Sequence, residues 1–118
     1  MTSDLRQVIV VRRDLKMTRG KESGQVGHAV LDSIVPRLSD PVVQEWYHNS
    51  QAKIIVSVDS EDELLAVAEK AVEAGIHTAK IIDEGRTMFN GVKTLTCVAL
   101  GPAKRDELDP ITGHLKLR

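Results

Sequence analysis

Residues 53–83 read KIIVSVDSEDELLAVAEKAVEAGIHTAKIID, and this stretch decides the fold. Its opening segment, KIIVSV, is a short run rich in β-branched residues and predicts a buried strand. Ser60 and Glu63 form an S-x-x-E capping box that begins a helix, and Gly75 is typical of the helix end. The closing segment, which ends in IID, predicts another strand. An order of strand, helix and strand is typical of α/β proteins.

The helix in this stretch has an apolar face, which we expect to pack on the sheet. Its members are Leu64, Leu65, Val67, Ala68, Ala71 and Val72.

The residues before this stretch predict a similar order. Residues 7–11 (QVIVV) predict a buried strand, and residues 12–20 a basic loop. Residues 21–35 predict a helix that ends at Pro36. Gly24 and Gly27 lie inside that helix and cost about 1 kcal/mol each relative to alanine. We therefore expect close backbone packing or a bound ligand beside them. Residues 41–48 predict a short second helix with Asp40 as its N-cap.

The C-terminal part predicts a fourth strand over residues 95–100 (LTCVAL), after a turn at Asn90-Gly91. Gly101-Pro102 is expected to end this strand. Residues 104–109 predict a short helical turn, and residues 111–118 a tail. The sequence thus predicts a single domain over residues 1–118. Its class is α/β, a three-layer sandwich with a four-stranded mixed sheet and helices on both faces.

Composition restricts the function. The chain has 118 residues, of which only 3% are aromatic, so platforms for stacking unpaired bases are not expected. Cys97 is the sole cysteine, which excludes an intramolecular disulfide and a cysteine metal cluster. Its position inside a predicted strand favours a buried packing thiol over a nucleophile. No apolar run is long enough to span a membrane, and the start of the chain is polar. We expect a cytoplasmic protein with no membrane partner.

The charges are segregated along the chain. The net charge is −1, yet residues 1–21 carry six basic side chains against two acidic ones, and residues 59–73 are strongly acidic. Charge alone favours ordinary solvated surfaces, although it allows a local basic face for an anionic partner.

One row of polar side chains could carry chemistry. Lys21, Gln25, His28 and Asp32 recur at helical spacing, so they share one face of the first helix. A cation, an amide and an imidazole in a row could bind and polarise an anionic or ester substrate. The same pattern also fits the solvated side of an amphipathic helix, and the pattern alone favours that interpretation. Asp83 ends a predicted strand, where α/β proteins usually place ligands.

Five ordered segments resemble a known family. They are VIVVRRDLKMTRGK, GQVGHA, IIDEGRT, TCVALGP and DPITGHLKL, and the resemblance runs from about residue 7 to residue 117. The chain resembles the peptidyl-tRNA hydrolases of the type found in archaea and eukaryotes (type 2).

The resemblance implies a mixed four-stranded sheet between helices and hydrolysis of the ester that joins a peptide to tRNA. It implies no metal or organic cofactor. The implied catalytic positions are Lys21, His28, Asp83, Thr87 and Thr96, with Thr94 as the alternative to Thr96. Which of these groups is the general base stays open. The implied substrate-binding positions, which would hold acceptor-stem phosphates or the substrate itself, are Arg12, Arg13, Lys16, Arg19, Gln25 and Arg86.

The chain departs from the family pattern in its basic loop, where Met17-Thr18-Arg19-Gly20-Lys21 replaces M-G-K-G-K. Its net charge is also low for a tRNA-binding protein. Two alternatives therefore stay open at this point. One is a non-catalytic tRNA- or protein-binding module on the same fold, and the other is a hydrolase of small esters or amides. The oligomeric state is also open, and a homodimer is one of the states that the sequence allows.

Overall fold

The structure is a computed structural model and describes residues 4–86 and 88–118. Its strands are β1 (Leu5–Arg12), β2 (Lys53–Val58), β3 (Thr78–Asp83), β4 (Thr94–Lys104) and β5 (Lys116–Leu117). Its α-helices are α1 (Arg19–Ile34), α2 (Pro41–Asn49), α3 (Glu61–Glu73) and α4 (Arg105–Thr112). Short 3-10 turns cover Arg13–Leu15, Val35–Arg37 and Phe89–Gly91.

The strands form one mixed sheet in the order β3-β4-β1-β2-β5. β1 and β2 are parallel, β4 runs antiparallel to both β1 and β3, and β5 runs antiparallel to β2. The α/β class, the mixed sheet and the antiparallel pairing of the strands before and after Asn90-Gly91 are confirmed. The predicted number of four strands is wrong, because residues 116–117 add a fifth at the edge of β2. Two residues carry no local strand signal, so the supposed tail pairs only because the fold brings it to that edge.

β4 is longer than predicted, since it continues beyond Gly101-Pro102 to residue 104. Proline has no backbone N–H and normally interrupts a central strand. Here the register between β1 and β4 shifts between Arg6 and Val8, so Gly101 and Pro102 together lie opposite Gln7. This bulge places the missing N–H where the ladder is already interrupted.

The two faces of the sheet bury two different aliphatic cores. Along β1, Val8 and Val10 pack on the side of α3 and α4, whereas Ile9 and Val11 pack on the side of α1. All four side chains are at most 3% exposed. Burial of each such side chain stabilises the fold by about 1.5–3 kcal/mol before entropy is subtracted. α2 covers the α1 side near the start of β1, where Trp46 packs on Leu5 in a smaller cluster.

The helix ends follow local chemistry. Asp40 caps α2 by accepting a hydrogen bond from the Val42 N–H at 2.8 Å. Ser60 caps α3 in the same way, although the Glu63 carboxylate accepts from the Asp59 N–H instead of closing the full capping box on Ser60. After α3, Gly75 has a φ of 76° and its N–H bonds to the Val72 carbonyl, which is the predicted left-handed stop.

The structure differs from three expectations about the helices: the start of α1, close packing at its glycines and the extent of the apolar face of α3. α1 begins at Arg19, inside the predicted loop, because the Thr18 hydroxyl accepts from the Lys21 N–H and caps the helix. A Cβ atom added at Gly24 or Gly27 would meet no atom within 4 Å, so close packing is not the reason for these glycines. In α3, Leu65 and Val72 lie outside the buried face and are exposed.

Candidate active site

The first turn of α1 and the last residue of β3 meet at an ion pair. The Lys21 ammonium lies 2.7 Å from Oδ1 of Asp83, and the two side chains are 18% and 12% exposed. Thr18 sets the start of α1 and thereby the position of Lys21, while the strand places Asp83 at the edge of the sheet. A pair this sheltered is screened less than a surface salt bridge.

Asp83 accepts two further hydrogen bonds. The Gln25 side-chain amide donates to Oδ1 at 3.3 Å, and the Gly85 backbone N–H donates to Oδ2 at 2.8 Å. The hydrogen bond from Lys21 is the main cause that holds the pKa of Asp83 below its ordinary value, and the Gly85 N–H adds to it against the opposing effect of burial. Asp83 is therefore ionised near neutral pH.

A buried threonine fixes the orientation of Gln25. The Thr96 hydroxyl is fully buried and donates to the Gln25 side-chain carbonyl at 2.7 Å. The carbonyl end of the amide is thus directed into the protein, and its NH₂ end faces Asp83. Thr94 does not join this network, because its hydroxyl donates to the Val92 backbone carbonyl at 2.9 Å. The structure therefore brings Thr96, and not its alternative, to the site.

These groups line a cleft of about 620 Å³ between α1 and β3. The predicted row on α1 forms one wall, so it does not simply face open solvent. His28 is exposed in this wall and makes no hydrogen bond to a described residue. The full lining is Lys21, Gln25, His28, Asp32, Lys80, Ile81, Ile82, Asp83, Glu84 and Arg86.

The predicted phosphate-binding residues fall into two groups. Arg12 is engaged, since it bonds to both carboxylate oxygens of Asp14 and to the Leu95 backbone carbonyl. Arg13 pairs with Asp59 at 2.8 Å on the surface. By contrast, Lys16 and Arg19 are exposed beside the start of α1, and Arg86 is exposed at the cleft. Of the acidic partners that sequence reasoning missed, Asp14 was visible as a neighbour of Arg12, whereas Asp59 is distant in sequence.

Thr87 and Cys97 are the two remaining positions that the sequence singled out. Thr87 lies outside the described residues. Cys97 is fully buried behind the site, with its Sγ 3.5 Å from the Gln25 backbone carbonyl. Burial raises the pKa of its thiol to about 11. This placement confirms a packing cysteine.

Sequence reasoning also missed several contributors to the site. The Gly85 N–H was invisible because a backbone donor leaves no mark on residue type. Lys80 and Ile82 line the cleft because β3 is an edge strand, which depends on the order of the whole sheet.

Residues 4–86 and 88–118 hold no cluster of three or more His, Cys, Asp or Glu side chains arranged to bind a metal ion. Within the same residues, no helix combines the length and the apolar character needed to cross a membrane.

Fold and site together define a three-layer α/β protein whose polar site lies at the carboxyl end of an edge strand. The sequence profile described as peptidyl-tRNA hydrolase PTH2 matches residues 5–118. The chain is 41% identical to a peptidyl-tRNA hydrolase of Methanocaldococcus jannaschii, over 96% of this chain and 99% of that protein. It is 40% identical to a peptidyl-tRNA hydrolase of Saccharolobus solfataricus, over 96% and 98%. It is 39% identical to one of Thermococcus onnurineus, over 95% and 96%. The chain belongs to the peptidyl-tRNA hydrolase PTH2 family.

Proposed function

We propose that this chain hydrolyses the ester bond between peptide and tRNA, and that the Lys21–Asp83 pair is the centre of the reaction. The single observation that carries this assignment is the 2.7 Å ion pair, which the Gln25–Thr96 pair supports at the wall of a cleft. Membership of the PTH2 family supports peptidyl-tRNA as the substrate. Residues 1–118 act as one domain of this family, and the reaction takes place in the cytoplasm.

Asp83 orients the attacking water. Its Oδ1 already accepts two hydrogen bonds, whereas Oδ2 accepts one from Gly85 and keeps a lone pair for water. A carboxylate with a lowered pKa is a weak base, so its contribution is to hold the water rather than to remove its proton completely.

Lys21 stabilises the charge that develops on the substrate. Water attacks the ester carbonyl carbon, and the carbonyl oxygen becomes an oxyanion beside the ammonium. The bond between that carbon and the tRNA 3′ oxygen then breaks. One proton of the water passes to the 3′ oxygen, and the other leaves with the free peptide acid. His28 lies in the same cleft and serves as the proton carrier. Thr87 keeps the role of hydrogen-bonding substrate or water that the family pattern implies.

The acceptor stem of the tRNA lies on the side of Lys16 and Arg19. Both side chains are exposed next to the first turn of α1, which also holds Lys21. Phosphate contacts of this kind position a nucleic acid without reading its bases. Arg12 and Arg13 contribute less directly, since each already pairs with an aspartate.

A homodimer is part of the proposal. Four large apolar side chains within residues 31–42 are 40% to 59% exposed, namely Leu31, Val35, Leu38 and Val42. Exposed apolar residues gathered in one segment favour contact with a second copy.

A turnover assay with purified peptidyl-tRNA tests the proposed function. The chain should release free tRNA, and Asp83→Asn should lose most of this activity. Asp62→Asn is the matched control, because Asp62 is an exposed carboxylate in the first turn of α3. Tight binding of tRNA without release would indicate a binding module instead. Hydrolysis of small esters alone would indicate a different hydrolase.

A further inference from the structure

The cleft between α1 and β3 is much longer than an ester bond. It holds the Lys21–Asp83 pair and also Asp32, which lies three turns along α1 from Lys21. Three turns of helix span about 16 Å. An extended peptide rises about 3.3 Å per residue, so this length accommodates roughly five residues.

One wall of the cleft is the open edge of the sheet. β3 is the last strand on its side and pairs only with β4 within the described residues. Lys80, Ile81 and Ile82 all line the cleft, although successive side chains of a strand point to opposite faces. Ile81 is only 6% exposed. The cleft therefore reaches the backbone of β3, whose outer N–H and C=O groups can pair with an added strand.

The charges on the two sides of Lys21 suit different parts of the substrate. Exposed basic residues, Lys16 and Arg19, lie before Lys21 in the chain and suit phosphates. Toward Asp32 the cleft carries both signs of charge, in Asp32 and Lys80, whereas Glu84 and Arg86 follow Asp83 at the end where the ester lies. Among the described residues, its lining has no Phe, Tyr or Trp ring on which a base could stack, and His28 is its one ring. A nucleotide end is thus poorly matched to this part of the cleft, whereas a peptide backbone is well matched.

We propose that the cleft between α1 and β3 is the subsite for the peptide part of the substrate, which adds as a strand to the outer edge of β3. This inference rests on the proposed function, since it requires the ester to lie at Lys21 and Asp83. The ester is at the C-terminus of the peptide, and Asp83 is at the C-terminal end of β3. The bound peptide therefore runs parallel to β3, and alternate residues of it bond to the strand. Main-chain bonds of this kind bind peptides of any sequence.

The first test is a substrate series on one tRNA with a constant C-terminal residue. It compares an N-acetyl-aminoacyl-tRNA with peptidyl-tRNAs of two to eight residues. We expect kcat/KM to rise roughly tenfold or more with peptide length, because remote binding energy supports the reaction, and to level off near five residues. N-methylation at successive peptide positions should lower kcat/KM only at every second residue.

A variant localises the effect. Asp32→Trp should fill the far end of the cleft and reduce the kcat/KM ratio of long to short substrates toward one. Asp62→Trp is the control, since Asp62 is also an exposed aspartate on a helix but lies in α3, on the opposite face of the sheet. It should leave the ratio unchanged.

The outcomes separate the two proposals. Equal kcat/KM at every peptide length, with hydrolysis intact, would overturn the subsite and leave the proposed function standing. An equal loss with long and short substrates in Asp32→Trp would show that the nucleotide end lies there, which also overturns it. Hydrolysis of no substrate at any length would remove the proposed function itself. The N-methyl series uses the unmodified chain, so the proposal stays testable even if Asp32→Trp fails to fold.

Discussion

The buried hydrogen bond between Thr96 and Gln25 gives the sharpest test of the site. Thr96→Val keeps the shape of the side chain and removes its hydroxyl, which donates to the Gln25 carbonyl at 2.7 Å. The carbonyl then remains buried without this donor, at a cost of roughly 1–3 kcal/mol. For a chain of this size, each kcal/mol lowers Tm by about 3–6 °C.

The same change should lower activity through Gln25. Without the Thr96 hydroxyl, the Gln25 amide is no longer held with its NH₂ toward Asp83, and the carboxylate loses one of the bonds that position it. We expect kcat to fall about tenfold, which corresponds to about 1.4 kcal/mol. KM should change little, because Thr96 is fully buried and does not reach the substrate.

Thermal unfolding and steady-state turnover on peptidyl-tRNA measure both effects. Thr96→Ser should restore most of the activity, since it returns the hydroxyl. Thr94→Val is the matched control, because the Thr94 hydroxyl bonds only to the local Val92 carbonyl. A folded Thr96→Val enzyme with unchanged kcat would refute the positioning role, and so would an equal loss in Thr94→Val.

Four further predictions concern the charged groups and the thiol. Lys21→Ala and Asp83→Ala should each reduce turnover roughly a hundredfold in protein that remains folded, which a turnover assay and a melting curve check together. The pKa of Asp83 is lower in the folded protein than in the unfolded chain, and this difference stabilises the fold. The stabilisation is present above the unfolded-state pKa near 3.9 and disappears as pH falls through the folded-state pKa. The difference in unfolding free energy between the wild type and Asp83→Asn should therefore be constant above about pH 5 and shrink below pH 4, as denaturant titrations at each pH would reveal. Cys97→Ser should keep turnover per folded molecule and lower stability, and Cys97 should resist thiol reagents at neutral pH because burial raises its pKa to about 11. Affinity for peptidyl-tRNA should fall with salt at a log–log slope of roughly −2 to −4, and Arg19→Ala should flatten it by up to about one unit. An unchanged salt slope for Arg19→Ala would remove Arg19 from the phosphate contacts. Arg12→Ala should mainly lower stability, since the Arg12 guanidinium bonds inside the protein.

Local chemistry predicted those parts of the fold that depend on neighbours in sequence. Asp40, Ser60 and Gly75 mark helix ends through bonds to residues a few positions away, so their types alone were sufficient. The strand at 116–117 and the passage of β4 through Pro102 depend on partners far along the chain. No local pattern contains that information.

In the site, too, some residues could be predicted from local sequence and others could not. Helical spacing placed Lys21 and Gln25 on one face, and the strand end placed Asp83 where ligands usually bind. The choice between Thr96 and Thr94 required the bulge in the β3–β4 pairing, where the register shifts between Ile81 and Ile82. Sequence spacing cannot show such a shift.

Alternate side chains of β1 point to opposite faces of the sheet, so the two cores support different parts of the molecule. Ile9 and Val11 belong to the cluster behind the site, whereas Val8 and Val10 belong to the cluster under α3 and α4. Substitutions in the second cluster can change the stability of the protein without moving Lys21, Asp83 or Thr96. The α3–α4 side is therefore free to vary, or to be engineered for heat resistance, while the chemistry stays constant.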